Sequence, residues 1–489
     1  DPSPHNLEYV RNHMTFAENY FQKVSNGNFT VTTTVLNNIY RLALPMASYS
    51  PPRSSTNNIE IGKMMQDAWH LVDSLTPALQ FQDYNAFMIV HAGVGRDVDL
   101  ASQLGFDPTP FDIPSLYVNA AALKKMFGSS YDGIPVDGGA YNITHSIIIP
   151  ETENREVNPG IGTALLQLGI NGLIVASIGS HLGLPDLFDT KTGRTAIGRF
   201  GLMDGQSIFS WSGVFPPEPS AWEKYFLGWI SPVVVPPGDA VYSLPAVGLS
   251  SNPDSVYRVP ISAKEYFLVE NRNRDANRDG AIVTVEQNGI IVQKIYFRDT
   301  TNFNAFDQDS IWGNVIDVDE FDWSLPGGVN SRNGELFDGG ILIWHIDENF
   351  IDAKLSTNAV NANPDRRGVD LEEGDGSQDL GQSYGFISPG SGSEDGTPLD
   401  FWFNGNTATP RLISNEFTPN SNPNSLSNDF ANSHVYIKSF SLRGPRMTAK
   451  IQLGDESVKP LANFPKAVGS SGVSHSVTTF PFENVGIFF

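Results

Sequence analysis

The chain has 489 residues, 40% hydrophobic and 11% aromatic, enough to fill the cores of roughly two to four domains and too apolar for wholesale disorder. Acidic residues outnumber basic ones 54 to 31, and the net charge of -23 argues against nucleic acid or anionic lipid as partner, since both are polyanions. The absence of cysteine excludes disulfides, thiolate metal sites and thiol catalysis, and no apolar run reaches the ~18 residues of a membrane-spanning helix.

The opening Asp1-Pro2-Ser3-Pro4 is no signal peptide, so an exported protein would be numbered from after its processing site. Apolar residues at helical spacing predict a helix over Leu7 to Val24, stopped by Ser25-Asn26-Gly27-Asn28. Phe29 to Leu36 alternates with threonines and predicts a strand; Ile59 to Leu75 predicts a second helix. Ala86 to His91 is a short apolar run of the buried-strand kind, closed by Ala92-Gly93-Val94-Gly95. Gly160 to Leu182, long and nearly apolar, predicts a buried helix. This first portion is expected to run over 1–236.

After Pro236-Pro237-Gly238 the pattern becomes strand-like. The segments Val256 to Pro260, Glu265 to Glu270, Ile282 to Val285, Gly289 to Phe297, Gly340 to Ile346 and Met447 to Leu453 predict an antiparallel β-sandwich region with long acidic loops over 237–454. Residues 455–489 read as a linker or the start of a further β domain, with strand-like runs at His475 to Phe480 and Val485 to Phe489.

Ala176-Ser177-Ile178-Gly179-Ser180-His181-Leu182-Gly183-Leu184-Pro185-Asp186-Leu187 resembles the active-site helix of immune inhibitor A-like zinc metallopeptidases, where H-E-x-G-H-x-L-G-L-P-D-L is expected. Gly201-Leu202-Met203-Asp204-Gly205 looks like that family's methionine turn, and Pro219 to Lys224 with Leu227-Gly228-Trp229 resembles the segment after it. Phe267 to Arg272, Gly340 to Asp347 and Arg367 to Glu373 resemble further landmarks, so that the likeness covers about Leu7 to Leu453. It implies a multidomain α+β protein: a zincin-like domain followed by the β-sandwich region.

A zincin needs imidazoles at i and i+4 to hold the metal and a glutamate between them as general base. Alignment on Leu182 to Asp186 places Ala176 and Ser180 at the ligand positions and Ser177 at the base. None can do that work, and H-E-x-x-H occurs nowhere in the chain. His181 lies one residue past the ligand, about 100° around the helix, and reads as a helix-end residue or a ligand of a rearranged site. Asp186 stands where a third ligand would fall. The resemblance therefore implies retained architecture and lost chemistry, a pseudopeptidase in which zinc is not expected.

Asp275 to Glu286 fits D-x-[DN]-x-[DN]-G-x5-E, the pattern of calcium loops. It assigns Asp275, Asn277, Asp279 and Glu286 as side-chain ligands and Ala281 through its carbonyl. Its bland counterpart is a hairpin turn. A second acidic knot, Asp370, Glu372, Glu373, Asp375 and Asp379, crowds carboxylates so that a cation would relieve their repulsion. Asn28 and Asn142 head glycosylation sequons of the kind that arise by chance, and His91 reads as a core histidine.

The expectation is thus an extracellular or cell-surface binding or structural protein, stabilised by calcium, that holds a peptide or protein partner or assembles with itself. Three alternatives stand beside it. One is an active metalloendopeptidase with an atypical ligand set, and another a serine hydrolase using Ser177, Ser180, His181 and Asp186. The third is a carbohydrate-binding protein with exposed Trp402 or Trp211.

Overall fold

In the computed structural model, residues 4–52, 54–98, 109–157, 162, 164–249, 256–296, 311, 313–329, 334–384, 392–408, 415–454, 479–482 and 485–488 are described. The chain is a mixed α/β protein with several sheets, 24% helix and 26% strand. The first part contains α1 (Leu7–Val24), α2 (Ile59–Leu75), β1 (Met88–Val94), β2 (Leu116–Val118), α3 (Ala120–Phe127), β3 (Ile134–Val136) and β4 (Tyr141–Ile143). Next come β5 (Ser146–Thr152), β6 (Arg155–Val157), β7 (Ala164–Leu166), α4 (Asn171–His181), α5 (Gly205–Ile208) and α6 (Ala221–Phe226). The strand-rich part begins with β8 (Val233–Val234), β9 (Gly238–Pro245), β10 (Tyr257–Pro260), β11 (Glu265–Asn273), β12 (Ala281–Gln287), β13 (Ile290–Tyr296) and β14 (Asn314–Val318). It continues through β15 (Gly328–Val329), β16 (Leu336–Phe337), β17 (Gly339–Asp347), α7 (Glu348–Lys354), β18 (Val369–Leu371), β19 (Val435–Lys438) and β20 (Arg446–Leu453), and then the hairpin of β21 (Thr479–Phe482) and β22 (Val485–Phe488).

Helix α1 starts where Asn6 accepts hydrogen bonds from the amides of Glu8 (2.9 Å) and Tyr9 (3.1 Å), with Glu8 in the first turn and Lys23 in the last, both favourable to the helix dipole. Tyr9, His13, Phe16, Tyr20 and Val24 form its buried stripe. In the sheet β1–β5–β2, β1 and β5 run parallel and β2 is antiparallel. The five-stranded sheet has the order β18–β17–β11–β10–β8, and its two long central strands pair from Glu265 opposite Asp347 to Asn273 opposite Gly339. β17 is buried throughout and β11 from its second residue onward; the apolar runs Tyr266 to Val269 and Ile341 to Trp344 meet across the pair at Leu268 opposite Trp344 and Val269 opposite Ile343, while buried Glu270 to Asn273 fill the rest of β11 with polar groups. Further sheets are β13–β12–β14 and β19–β20–β9.

The larger apolar core takes in α1, α4, the 195–204 turn and the strands around β11 and β17, from Tyr9 to Ile451, and so passes through both sides of residue 236. A smaller one gathers α2, α3, β3 and β4 around Trp69, Phe81 and Phe87. Buried Arg272 on β11 ties the parts together: Nε donates to Asp322 (2.6 Å), Nη1 to the carbonyl of Phe200 (3.1 Å) and Nη2 to that of Glu218 (3.0 Å).

Two expected elements are corrected. Phe29 to Leu36 is not a strand; its amides turn to side chains instead, Phe29 to Ser25 Oγ (3.0 Å) and Thr33 to Glu18 Oε1 (2.7 Å). Among the described residues of the apolar run Gly160 to Leu182, the helix begins only at Asn171, and the earlier part holds the short strand β7. Uniform apolarity carries no period, so it could not mark that change.

Candidate functional site

Helix α4 carries Ala176, Ser177 and Ser180, the three positions singled out by the resemblance. Ala176 is buried in the larger core, while Ser177 and Ser180 are half-buried and Ser180 Oγ donates to the carbonyl of Ala176 (3.3 Å). A methyl and two neutral hydroxyls do not fit zinc, which takes imidazole, thiolate or carboxylate. Met203 lies beneath this helix: a β-carbon on Gly179 would sit 3.0 Å from its Sδ. The turn carrying it is held by buried carboxylates. Glu223 accepts the amide of Met203 (2.8 Å) and Asp204 those of Ala196 (2.9 Å) and Ile197 (3.2 Å).

His181 ends the helix with its ring stacked on His145 (centroids 4.9 Å apart, planes 29° apart) and Nδ1 3.4 Å from Tyr117 Oη. Burial, and then the neighbouring imidazole of His145, lowers the His181 pKa. This grouping joins β2, the start of β5 and α4, and no spacing in the sequence connects its members. Asp186 is taken by Asn358, whose Nδ2 donates to Oδ2 (2.6 Å). Among the described residues no hydrogen bond links Ser177 or Ser180 to His181 and Asp186 as a triad requires. Trp402 is fully buried with Nε1 donating to the carbonyl of Glu372 (2.8 Å), and Trp211 is half-buried, so the exposed stacking surface of a carbohydrate groove is not formed by Trp402. His91 is buried on β1, with Nδ1 2.9 Å from the carbonyl of Ala92.

Two sets of carboxylates converge elsewhere. In the first, oxygens of Asp275, Asp279 and Glu320 lie within 4.8 Å of one another. Asp275 shapes the turn by accepting the amides of Asp279 (3.1 Å) and Gly280 (3.2 Å). Glu320, two residues past the end of β14, accepts from the amides of Ala276 (2.8 Å) and Asn277 (3.0 Å) and from the Asn277 side chain. Burial pushes the Glu320 carboxyl up to about 8, the charges of Asp275 and Asp319 adding to it. Ala281 opens β12 opposite Tyr296. Glu286 is not part of the set: it lies on β12, accepting from Asn12 Nδ2 (2.8 Å) and the amide of Gly289. A β-strand separates by its rise what a helical loop would fold back, so the final position of the pattern is carried away from the turn.

The second set is Glu373, Asp375 and Asp400, again within 4.8 Å. Of the five residues expected there, Asp370 pairs with Arg367 (2.9 Å) and Glu372 with His345 Nδ1 (3.2 Å), so neither joins it. Alternation along β18 and the residues after it turns them to other partners. Asp379 stays beside Glu373, its amide donating to Glu373 Oε2 (2.8 Å). Burial raises the carboxyl of Glu373 to about 8 and that of Asp400 well above the usual range, the charge of Asp375 adding to both. Hard carboxylate oxygens of this kind fit calcium.

No family model matches the chain, and neither curated proteins nor solved structures give a match. Among the described residues no helix is long and apolar enough to cross a membrane.

Proposed function

We propose that the chain is a non-catalytic binding or structural protein, built on a scaffold of the immune inhibitor A-like kind and stabilised by calcium, that acts outside the cell or at its surface. The observation that carries the reading is the face of α4: Ala176, Ser177 and Ser180 offer a methyl and two hydroxyls above Met203, where a zincin would need two imidazoles and a glutamate. The packing of Gly179 on Met203 supports this reading. The partner is a peptide or protein segment. β2 pairs with β5 on one side and lies beside α4, so an extended chain adding to its other edge would be held by main-chain hydrogen bonds without any metal.

Element analysis after gentle purification tests this directly. Calcium without zinc, and no cleavage of denatured protein substrates, is the expected result. A second reading, a peptidase with an atypical ligand set, has one observation in its favour: His145, His181 and Tyr117 meet at the end of the same helix. Stoichiometric zinc that is lost in His181→Ala, with chelator-sensitive cleavage, would replace the first reading by the second.

A further inference from the structure

Segments 373–384 and 392–400 pack on the turn that underlies α4. At Gly381, where φ is +76°, a β-carbon would overlap the carbonyl oxygen of Thr195. A β-carbon on Gly198 would lie 2.9 Å from the carbonyl oxygen of Asp395, and one on Gly396 2.8 Å from the ring of Phe200. Thr195 in turn donates to Asp204 (2.8 Å), and the amide of Leu187 to the carbonyl of Met203 (2.7 Å), so the contact runs on to the underside of Gly179.

What holds these segments together is a buried group of acids whose neighbouring cations are used elsewhere: Arg367 by Asp370, His345 by Glu265 and Glu372. Glu373, Asp375 and Asp400 accept backbone amides and hydroxyls from Leu380, Ser377 and Thr397, all neutral donors. Asp379 supplies an independent sign of a missing partner. It is only 5% exposed, its Oδ2 accepts from Ser393 (2.6 Å) and Tyr384 (3.3 Å), and its buried Oδ1 has no donor among the described residues. Burying several carboxylates without a counter-charge is costly, and a divalent cation is the group that offsets it.

We propose that Glu373, Asp375 and Asp400, with Asp379 beside them, hold a divalent cation, calcium by the oxygen set, and that this ion fixes segments 373–384 and 392–400 against the 195–204 turn. The placing of the 195–204 turn beneath α4 is then cation-dependent. This rests on the calcium part of the proposed function.

The test is hydrogen exchange read by mass spectrometry, with calcium counted by titration, on the full chain and on Asp400→Asn, Asp375→Asn and Asp279→Asn. The expected result is two calcium ions in the parent and one in each variant. Removing calcium, or Asp400→Asn, should speed exchange in 195–204 and 178–187 by at least about tenfold, whereas Asp279→Asn leaves those segments protected. Asp375 is half-buried, so its variant reports if Asp400→Asn does not fold. One ion, lost in Asp279→Asn alone, overturns this inference and leaves the calcium-stabilised reading standing. No ion at all sinks both, and two ions with unchanged exchange in 195–204 overturn the link to that turn.

Discussion

Gly172 near the start of α4 lies against the carbonyl of Ile208 at the end of α5, so close that a β-carbon there would overlap the oxygen. Backbone cannot swing aside as a side chain does. Gly172→Ala should therefore destabilise the fold by about 3 kcal/mol, by the mechanism of overpacking, despite alanine's better helix propensity. Gly179→Ala on the same helix meets only the flexible end of Met203 at 3.0 Å and should stay within about 1 kcal/mol of the parent. Denaturant melts of the two variants check the contrast; equal losses would place the helix differently against α5.

Writing the missing chemistry back is the sharper test of the scaffold. The triple variant Ala176→His, Ser177→Glu, Ser180→His restores ligands at i and i+4, with Asp186 three residues past Gly183. It should acquire zinc near one equivalent, and the parent measured beside it should take up none. Because Ala176 is only 3% exposed, the apo form should lose roughly 1–3 kcal/mol to crowding. Failure of the folded variant to take up zinc would mean that α4 does not present these positions together.

The first acidic set predicts which glutamate matters for calcium. Glu320→Gln should weaken binding by about tenfold or more, since it removes a ligand charge from the set. Glu286→Gln should leave the affinity unchanged, its partners being Asn12 and Gly289. Isothermal titration of both variants decides between the turn seen in three dimensions and the linear pattern.

His345 gives a dependence on pH that needs no metal. Burial alone would lower its pKa, but hydrogen bonds to Glu265 (3.0 Å) and Glu372 (3.2 Å) outweigh it and hold the imidazole at about 9 against 6.5. The folded value lies above the unfolded one, so this stabilisation is complete below about pH 6.5 and is lost as pH rises through about 9. The loss should be on the order of 3 kcal/mol, and His345→Gln should flatten that part of the stability profile.

Much of the secondary structure was legible because period and punctuation agreed. The helices over Leu7–Val24 and Ile59–Leu75 have the bounds their apolar spacing and flanking turns imply, and the runs at β11, β17 and β20 read as strands. The apolar run before Asn171 was not legible, since a segment that is greasy on every side looks the same as strand or helix. At the acidic sites the sequence brought Asp275 and Asp279 together, and likewise Glu373 and Asp375, because each pair is local. Glu320 and Asp400 complete those sets from distant turns, and only the folded topology reveals such partners. His145 meeting His181 is a contact of the same long-range kind.

Arg272 carries a final consequence. It sits on β11, yet its guanidinium satisfies carbonyls of Phe200 and Glu218, and the larger core draws on residues from Tyr9 to Ile451. A fragment ending at 236 would keep those carbonyls and that apolar face but lose what covers them. Truncation there should yield a sticky, incompletely ordered product, so the helix-bearing half depends on its strand-rich companion for solubility.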